Sequence, residues 1–586
     1  MINHSDIFLS IKKLFNDKKF TEAISLIDQL LKKNSNVPDA YNLRSLSFFH
    51  LKKYEQSLLD IEKALLLSPE NFGILNNKSI ILKKLNRIDD GIQSANRSIF
   101  LNPNFATSYN VRADLYLENL DFNNAVKDLK KAIYLNPSYV EAYNNLGIAQ
   151  MGLKQYDSAI IYFDKSINLD HNNCEAYKNK AIALLELNDL QHSLKNINKA
   201  IEINPNFIEA YNSRGNIFSK LNRYEEALID LQKAINLDSN QAYLFVTLGN
   251  IYQNLDKFDK AKLSFDKAIE INSKFAPAHL NKAHLLLRTG ELDLGWKEYE
   301  WRWDPSIRTS QHKLFSQPLW LNNFSIKNKN ILIHHEQGLG DTIQFCRFVP
   351  LLLEMGANVT FKVQPSLYDL LKDFHPDINV ISGDSNFHNF DCHTPLLSLP
   401  LALSINLNNI PKKEKYLDIK NNVLTSFKDK IPISTKKRIG IFWNTTSLYK
   451  NSISKNISLA ELSKIFTDKY DFFSLQKNLS KEESSYFDRS KNLINPGSIN
   501  EKFVYTGALC KLMDLVICID TSIAHLAGAL GCKTFVLIPK LSDFRWLLNR
   551  SDTPWYQSVK LFRQYESGNW DNALYAVKEE IEKSIS

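Results

Sequence analysis

Residues Ile331 to Pro350 read ILIHHEQGLGDTIQFCRFVP, and this stretch decides how the second half of the chain folds. The apolar run Ile331 to Ile333 suits a buried strand, Gly338-Leu339-Gly340 breaks it into a turn, and an amphipathic helix opens at Asp341. Strand, glycine turn and helix start make a βα crevice. Gly338 and Gly340 let a ligand approach the backbone closely, and the helix start offers unpaired N–H groups to phosphate. Asp341 suits two roles there, a base facing the crevice or the helix's own cap.

Toward the C-terminus, short strands alternate with helices. Strands are expected at Val359 to Val363, Ile378 to Ile381, Arg438 to Trp443, Phe472 to Leu475, Leu515 to Ile519 and Thr534 to Ile538. Such alternation argues for parallel sheets with ligands at the C-terminal strand ends. A second phosphate candidate follows the LVICI strand at Asp520-Thr521-Ser522-Ile523-Ala524-His525, where hydroxyls and free N–H groups of a new helix can hold a diphosphate. An ordinary capped helix with a core histidine fits the same residues.

Toward the N-terminus the chain is periodic. In windows of 34 residues from Asn3, position 21 reads Ala23, Ser57, Gly91, Ala125, Ala159, Ser193, Ala227, Ala261 and Gly295, all small. Position 28 repeats alanine, position 5 repeats aromatics from Tyr41 to Phe245, and prolines close repeats at Pro69, Pro103, Pro137 and Pro205. Small residues belong where two helices touch, and proline ends the second helix. The pattern resembles the tetratricopeptide repeat (TPR), which implies a solenoid with a long concave surface for a protein or peptide. A spacer or an oligomer contact is the plainer alternative. Asparagines recur at positions 6 and 7, and Asn77, Asn145, Asn179 and Asn281 at position 7 resemble the ladder with which the TPR-linked O-GlcNAc transferase grips peptide backbone. The aromatic run GWKEYEWRW, from Gly295 to Trp303, reads as a seam onto the next domain, and Leu314 to Asn323 as a docked connector.

At 586 residues the chain exceeds one core, and three units are expected. The net charge of +8, from 72 basic against 64 acidic residues without long blocks of either sign, gives a nucleic-acid partner little support, and none is expected. Six scattered cysteines without a CxxC read as reduced, buried thiols. With no apolar run of spanning length and no secretory leader pattern, no transmembrane segment and a cytoplasmic location are expected.

EQGLGDTIQ, then DTSIAHLAGALG about 180 residues on, then SDFRWLLNRSDTPWYQS and LFRQ, together resemble the GT-B glycosyltransferases related to heptosyltransferases, in the branch with N-terminal TPRs. The resemblance covers roughly residues 290 to 570. It implies an α + α/β chain: an all-α TPR solenoid at 1–304, a connector at 305–325, and a GT-B-like pair of Rossmann-type halves at 326–435 (acceptor side) and 436–586 (nucleotide-sugar side). It implies Asp341 as catalytic base and Gly338, Gly340, Asp520, Thr521, Ser522, Ile523 and His525 around a nucleotide diphosphate. Lys455 stands where a basic phosphate ligand is expected, with Lys450 as the alternative. Gln337, Gln344, Gln476 and Arg545 are secondary cleft positions, alongside Lys477, Arg563 and Gln564. The glycine-rich start of the phosphate loop is replaced here by Trp443-Asn444-Thr445-Thr446.

The expected activity is inverting transfer of a sugar from a nucleotide donor, without metal or other cofactor, to Ser or Thr of a protein held by the solenoid. A lipid-linked or polysaccharide acceptor and a non-catalytic scaffold are the alternatives. Donor sugar, nucleotide base and oligomeric state are not encoded in any motif found.

Overall fold

A computed structural model describes residues 4–307, 315–383, 389–428, 431–445, 455–490, 492–496 and 502–585. It divides into two compact units, residues 1–251 and 252–586.

The first unit is all-helical: helix pairs recur with the 34-residue period, and each helix packs on its neighbours in sequence. The small residues at position 21 lie where helices touch; Ala23, Ser57, Ala125, Ala159, Ser193 and Ala227 are fully buried. The turn between paired helices is built the same way each time. Position 16 is left-handed at Lys18, Lys52, Asn86, Leu120, Lys154, Asn188 and Asn222. Side chains other than glycine tolerate that conformation at a cost, greatest for a residue such as Leu120 that cannot bond its own backbone. Position 8 forms a second ladder that the sequence reading missed. Arg44, Arg112 and Arg214 each hold the acid sixteen residues on, Asp60 (2.6 Å), Asp128 (2.7 Å) and Asp230 (2.7 Å).

The second unit combines the last repeat helices, Phe258–Ile271, Ala276–Thr289 and Leu292–Tyr299, with two sheets. The expected boundary at residue 304 is thus not where compactness divides the chain. One sheet runs β3-β2-β1-β4, with β1 Asn330–His334, β2 Asn358–Val363, β3 Ile378–Ser382 and β4 Cys392–Pro395. The other runs β10-β9-β8-β5-β6-β7, with β5 Lys437–Phe442, β6 Tyr470–Ser474, β7 Leu493–Ile494, β8 Leu515–Ile519, β9 Thr534–Ile538 and β10 Val559–Arg563. All pairings between these strands are parallel. Buried on both faces, such strands read as continuous apolar runs. The all-helical repeats followed by parallel sheets make the chain α + α/β.

The last repeat helices are fastened to the sheets by aromatic packing. Trp296 is buried, donates to the Ile405 carbonyl (3.2 Å) and meets Phe345 and Phe544 edge-on. In the connector, Trp320 is buried and its backbone N–H donates to the His393 carbonyl (2.9 Å). All six cysteines are free thiols, five of them buried. No helix of the described residues is long and apolar enough to cross a membrane.

Candidate functional site

Strand order fixes where a ligand can enter. In each sheet the order reverses once, between β1 and β4 and between β5 and β8, and the crevice of an open parallel sheet lies beyond the strand ends at that reversal. The loop after β1 carries Glu336 to Asp341, the loop after β5 leads to Lys455, and β8 delivers Asp520 to Ser522. The two crevices meet: a Cβ placed on Gly340 would lie 3.0 Å from His525 Cδ2 and 3.3 Å from Ser522 Cα. Glycine at that contact allows the close approach, since a side chain there would need its neighbours to give by a few tenths of an ångström.

Asp341 sits at this junction as the cap of its own helix. Its Oδ2 accepts the Gly338 N–H (2.8 Å), capping the helix Leu339–Phe345, while Oδ1 takes the Arg545 guanidinium. Arg545 also donates to Asp543 (2.8 Å), so one buried cation stands between two carboxylates. Burial raises the Asp341 carboxyl above its ordinary value against the pull of Arg545. The Asp543 carboxyl is held far below the carboxylate range because Arg545 and Lys455 outweigh its burial. Lys455 Nζ meets Asp520 Oδ2 at 2.5 Å. Burial alone would lower the lysine ammonium, and Asp520 and Asp543 overcome it.

His525 is a buried neutral imidazole. Its Nδ1 pairs with the Tyr556 hydroxyl (2.9 Å), its ring stacks on Trp546, and burial pushes it down to about 3. Gly528 leaves room for Tyr556, whose ring would lie 2.6 Å from an added Cβ. Thr521 caps its own helix, its hydroxyl accepting from the Ile523 N–H (3.4 Å), and Ile523 itself is buried.

Several secondary positions bond within the protein. Gln337 bonds the Tyr299 hydroxyl (3.1 Å), tying the glycine loop to the helix Leu292–Tyr299. Gln344 is fully buried, with neither amide atom hydrogen-bonded, so it does not line an open cleft. Gln476 donates to the Asn444 carbonyl (2.8 Å) and fixes the start of the loop after β5. Arg563 donates to the Trp546 (2.7 Å) and Leu547 (3.0 Å) carbonyls. It thereby holds Leu547 at φ 51°, a strained conformation for leucine, next to Arg545. Lys450 lies outside the described residues.

Other residues packed around the junction carry no local signal in the sequence. Asp543 and Tyr556 lie inside quoted motifs but were given no role. Glu336 forks onto Arg302 (2.8 and 3.0 Å) and accepts the Leu397 N–H (2.8 Å), bolting the loop after β1 to the last repeat segment and to β4. From the helix Ala276–Thr289, His284 stacks on Phe544 and burial pushes it down to about 4. Among the described residues no group of three or more His, Cys, Asp or Glu is arranged to hold a metal ion.

In the first unit the asparagines zip to one another. Asn77, Asn145 and Asn179 donate to Asn42 (3.0 Å), Asn110 (3.1 Å) and Asn144 (3.0 Å), position 7 of one repeat to position 6 of the one before. Asn281 does not follow: its amide donates back to the Pro277 carbonyl (2.7 Å), and position 6 of the preceding window is Val246, which has no amide. Asn76 and Asn212 keep buried Oδ1 atoms without a partner, since at the next position 7 Val111 has no side-chain donor and Thr247 gives its hydroxyl to the Tyr243 carbonyl (3.2 Å).

Family comparison agrees with the repeats. Models described as "TPR repeat" match residues 114–154 and 215–256, and models described as "Tetratricopeptide repeat" match 13–72, 140–173, 175–207, 196–229 and 242–275. Protein FlbA of Caulobacter vibrioides is 24% identical over 318 residues, covering 50% of this chain and 53% of FlbA. The chain thus spans about half the length of the curated relative it matches. Among solved structures, the Cut9–Hcn1 hetero-tetramer of APC/C aligns at 16% identity and TM-score 0.40, over 48% of this chain and 56% of that one. A tetratricopeptide repeat protein from Parabacteroides merdae aligns at 20% identity and TM-score 0.37, over 42% and 97%. The chain carries tetratricopeptide repeats, and these suggest protein partners.

Proposed function

We propose that this chain is an inverting glycosyltransferase whose active site is the junction of the two sheet crevices, with the repeats presenting a protein acceptor. The observation that supports this best is the abutment of the glycine loop after β1 on the helix start after β8, at the order reversals of two parallel sheets. In this reading the donor's diphosphate lies at Thr521 and Ser522, with Lys455 beside it. The acceptor hydroxyl gives its proton to the Asp341 carboxylate as its oxygen bonds the anomeric carbon. The bond from that carbon to the diphosphate breaks on the opposite face, and the electron pair leaves with phosphate. General-base help is worth about 10² to 10⁴-fold, and fixed charge around the departing diphosphate supplies more.

Arg545 has a defined part in this scheme. Paired with Asp341 it quenches the base, and an incoming diphosphate competes for the same guanidinium, leaving the carboxylate free when donor is bound. The burial-raised carboxyl of Asp341 shifts the activity rise to higher pH than an unperturbed aspartate would give.

The non-catalytic alternative is favoured by one specific observation. Every charge at the junction already has a protein partner: Asp341 and Asp543 with Arg545, and Lys455 with Asp520. Calorimetric titration with a panel of nucleoside diphosphates and nucleotide sugars separates the two readings. Transferase chemistry requires at least one to bind, with affinity lost in Lys455→Ala and Thr521→Ala; binding by none leaves a scaffold. Mass spectrometry of glycosylated peptides, set against extracted lipids and polysaccharides, identifies the acceptor.

A further inference from the structure

Positions 27 and 30 of each window fall on the second helix of the repeat, one turn apart and on one face. Position 27 is a cation throughout the middle repeats: Lys63, Arg97, Lys131, Lys165, Lys199 and Lys233. Position 30 is not uniform. In repeats five to eight it is Asn168, Glu202, Asn236 and Glu270, all polar. In repeats two to four it is Leu66, Phe100 and Tyr134, which are 80%, 83% and 77% exposed. The second helices of three consecutive repeats, Tyr54–Leu67, Ile88–Leu101 and Phe122–Leu135, therefore show large apolar side chains to solvent at a position that is polar in the later repeats.

The swap also changes the charge. Glu202 neutralises Lys199 (2.6 Å) and Glu270 neutralises Lys267 (2.9 Å), each from three residues on. Lys63, Arg97 and Lys131 have Leu66, Phe100 and Tyr134 in that place, and Lys131 lies 5.0 Å from the centre of the Tyr134 ring. An apolar ridge flanked by a row of cations, with no carboxylate at either position, is a poor solvated surface and a good docking one.

We infer that the ridge Leu66–Phe100–Tyr134, with Lys63, Arg97 and Lys131, docks an acidic amphipathic segment of a partner protein. Apolar side chains of the segment cover the ridge and its carboxylates meet the three cations. A flat anionic membrane fits less well, because exposed Glu55, Asp89 and Asp90 stand at the N-terminal ends of the same helices. A narrow segment avoids them.

The test uses the full chain and the variant Leu66→Asn/Phe100→Glu/Tyr134→Asn, which installs residues that later repeats carry at the same position. The probes are a fluorescent helical peptide of glutamate and leucine, its lysine counterpart with identical leucine spacing, and vesicles containing phosphatidylserine. The glutamate peptide binds the native chain in a salt-sensitive manner and the variant at least about tenfold more weakly, the loss of one strong apolar anchor. Circular dichroism of the variant stays unchanged, since the three sites are on the surface. Equal binding by native chain and variant, equal binding of the lysine peptide, or binding of vesicles without the glutamate peptide each overturns the inference.

Discussion

The two compact units solve the same problem, how to place charge in a fold, in opposite ways. In residues 1–251 the ion pairs are local and repeated, Arg44–Asp60, Arg112–Asp128 and Arg214–Asp230 all at a separation of sixteen, with the arginines still reaching solvent. In residues 252–586, beside exposed local pairs, buried ones join distant segments, Arg302 to Glu336 and Arg545 to Asp341. Periodic pairs hold a shape. Buried pairs join strand-end loops, because removing the arginine leaves a buried carboxylate without its counter-ion.

That contrast breaks most visibly at Arg302. Arg302→Ala strands Glu336 in the interior, so the second unit loses about 3 to 5 kcal/mol. Arg214→Ala, where the arginine is partly exposed, costs the first unit roughly 1 to 2 kcal/mol. Denaturant titration with a separate probe in each unit checks both. Equal losses would erase the distinction.

What was readable in the sequence follows the same line. Leu515–Ile519, Ser522–Ala529 and Thr534–Ile538 fall where their apolar runs and caps put them, as do the small residues at position 21, because local pattern alone specifies them. The partners of the site were not readable. Nothing near Arg563 in sequence says that it holds Trp546 and Leu547, and Glu336 meets Arg302 across thirty-four residues of chain. The asparagine ladder was visible as a pattern, but its being zipped along the repeats, and Asn281 leaving it, depended on which residue sits one repeat away.

Acid sharpens the comparison next. His284, His334 and His525 are kept neutral in the second unit, burial pushing them to about 4, 3 and 3 from an ordinary 6.5. Once unfolded they take up protons below 6.5, so the second unit loses stability as pH falls from 6.5 toward 4. The upper bound is roughly 3 to 5 kcal/mol for each histidine. Thermal unfolding across that window reads the effect, and replacing His284 with Phe reduces the slope; a slope untouched by the replacement contradicts the burial argument.

Smaller effects belong to the repeats. Asn77→Ala/Asn145→Ala/Asn179→Ala removes three inter-repeat hydrogen bonds, each worth about 0.5 to 1.5 kcal/mol, and lowers acceptor-peptide affinity if the ladder also grips backbone. Smallest is Leu120→Asn, which relieves a left-handed leucine and stabilises the first unit by about 1 kcal/mol, seen as a raised Tm. No gain there would mean that Leu120 contributes packing that offsets its strain.

On the proposed function, Asp341 is a base shared between two crevices. This is tested by measuring, with one identified donor and acceptor, both turnover and donor affinity for Asp341→Asn. The account predicts transfer reduced by at least about 10²-fold with donor affinity kept or improved, since Arg545 is released to the diphosphate. Undiminished transfer in Asp341→Asn would contradict it.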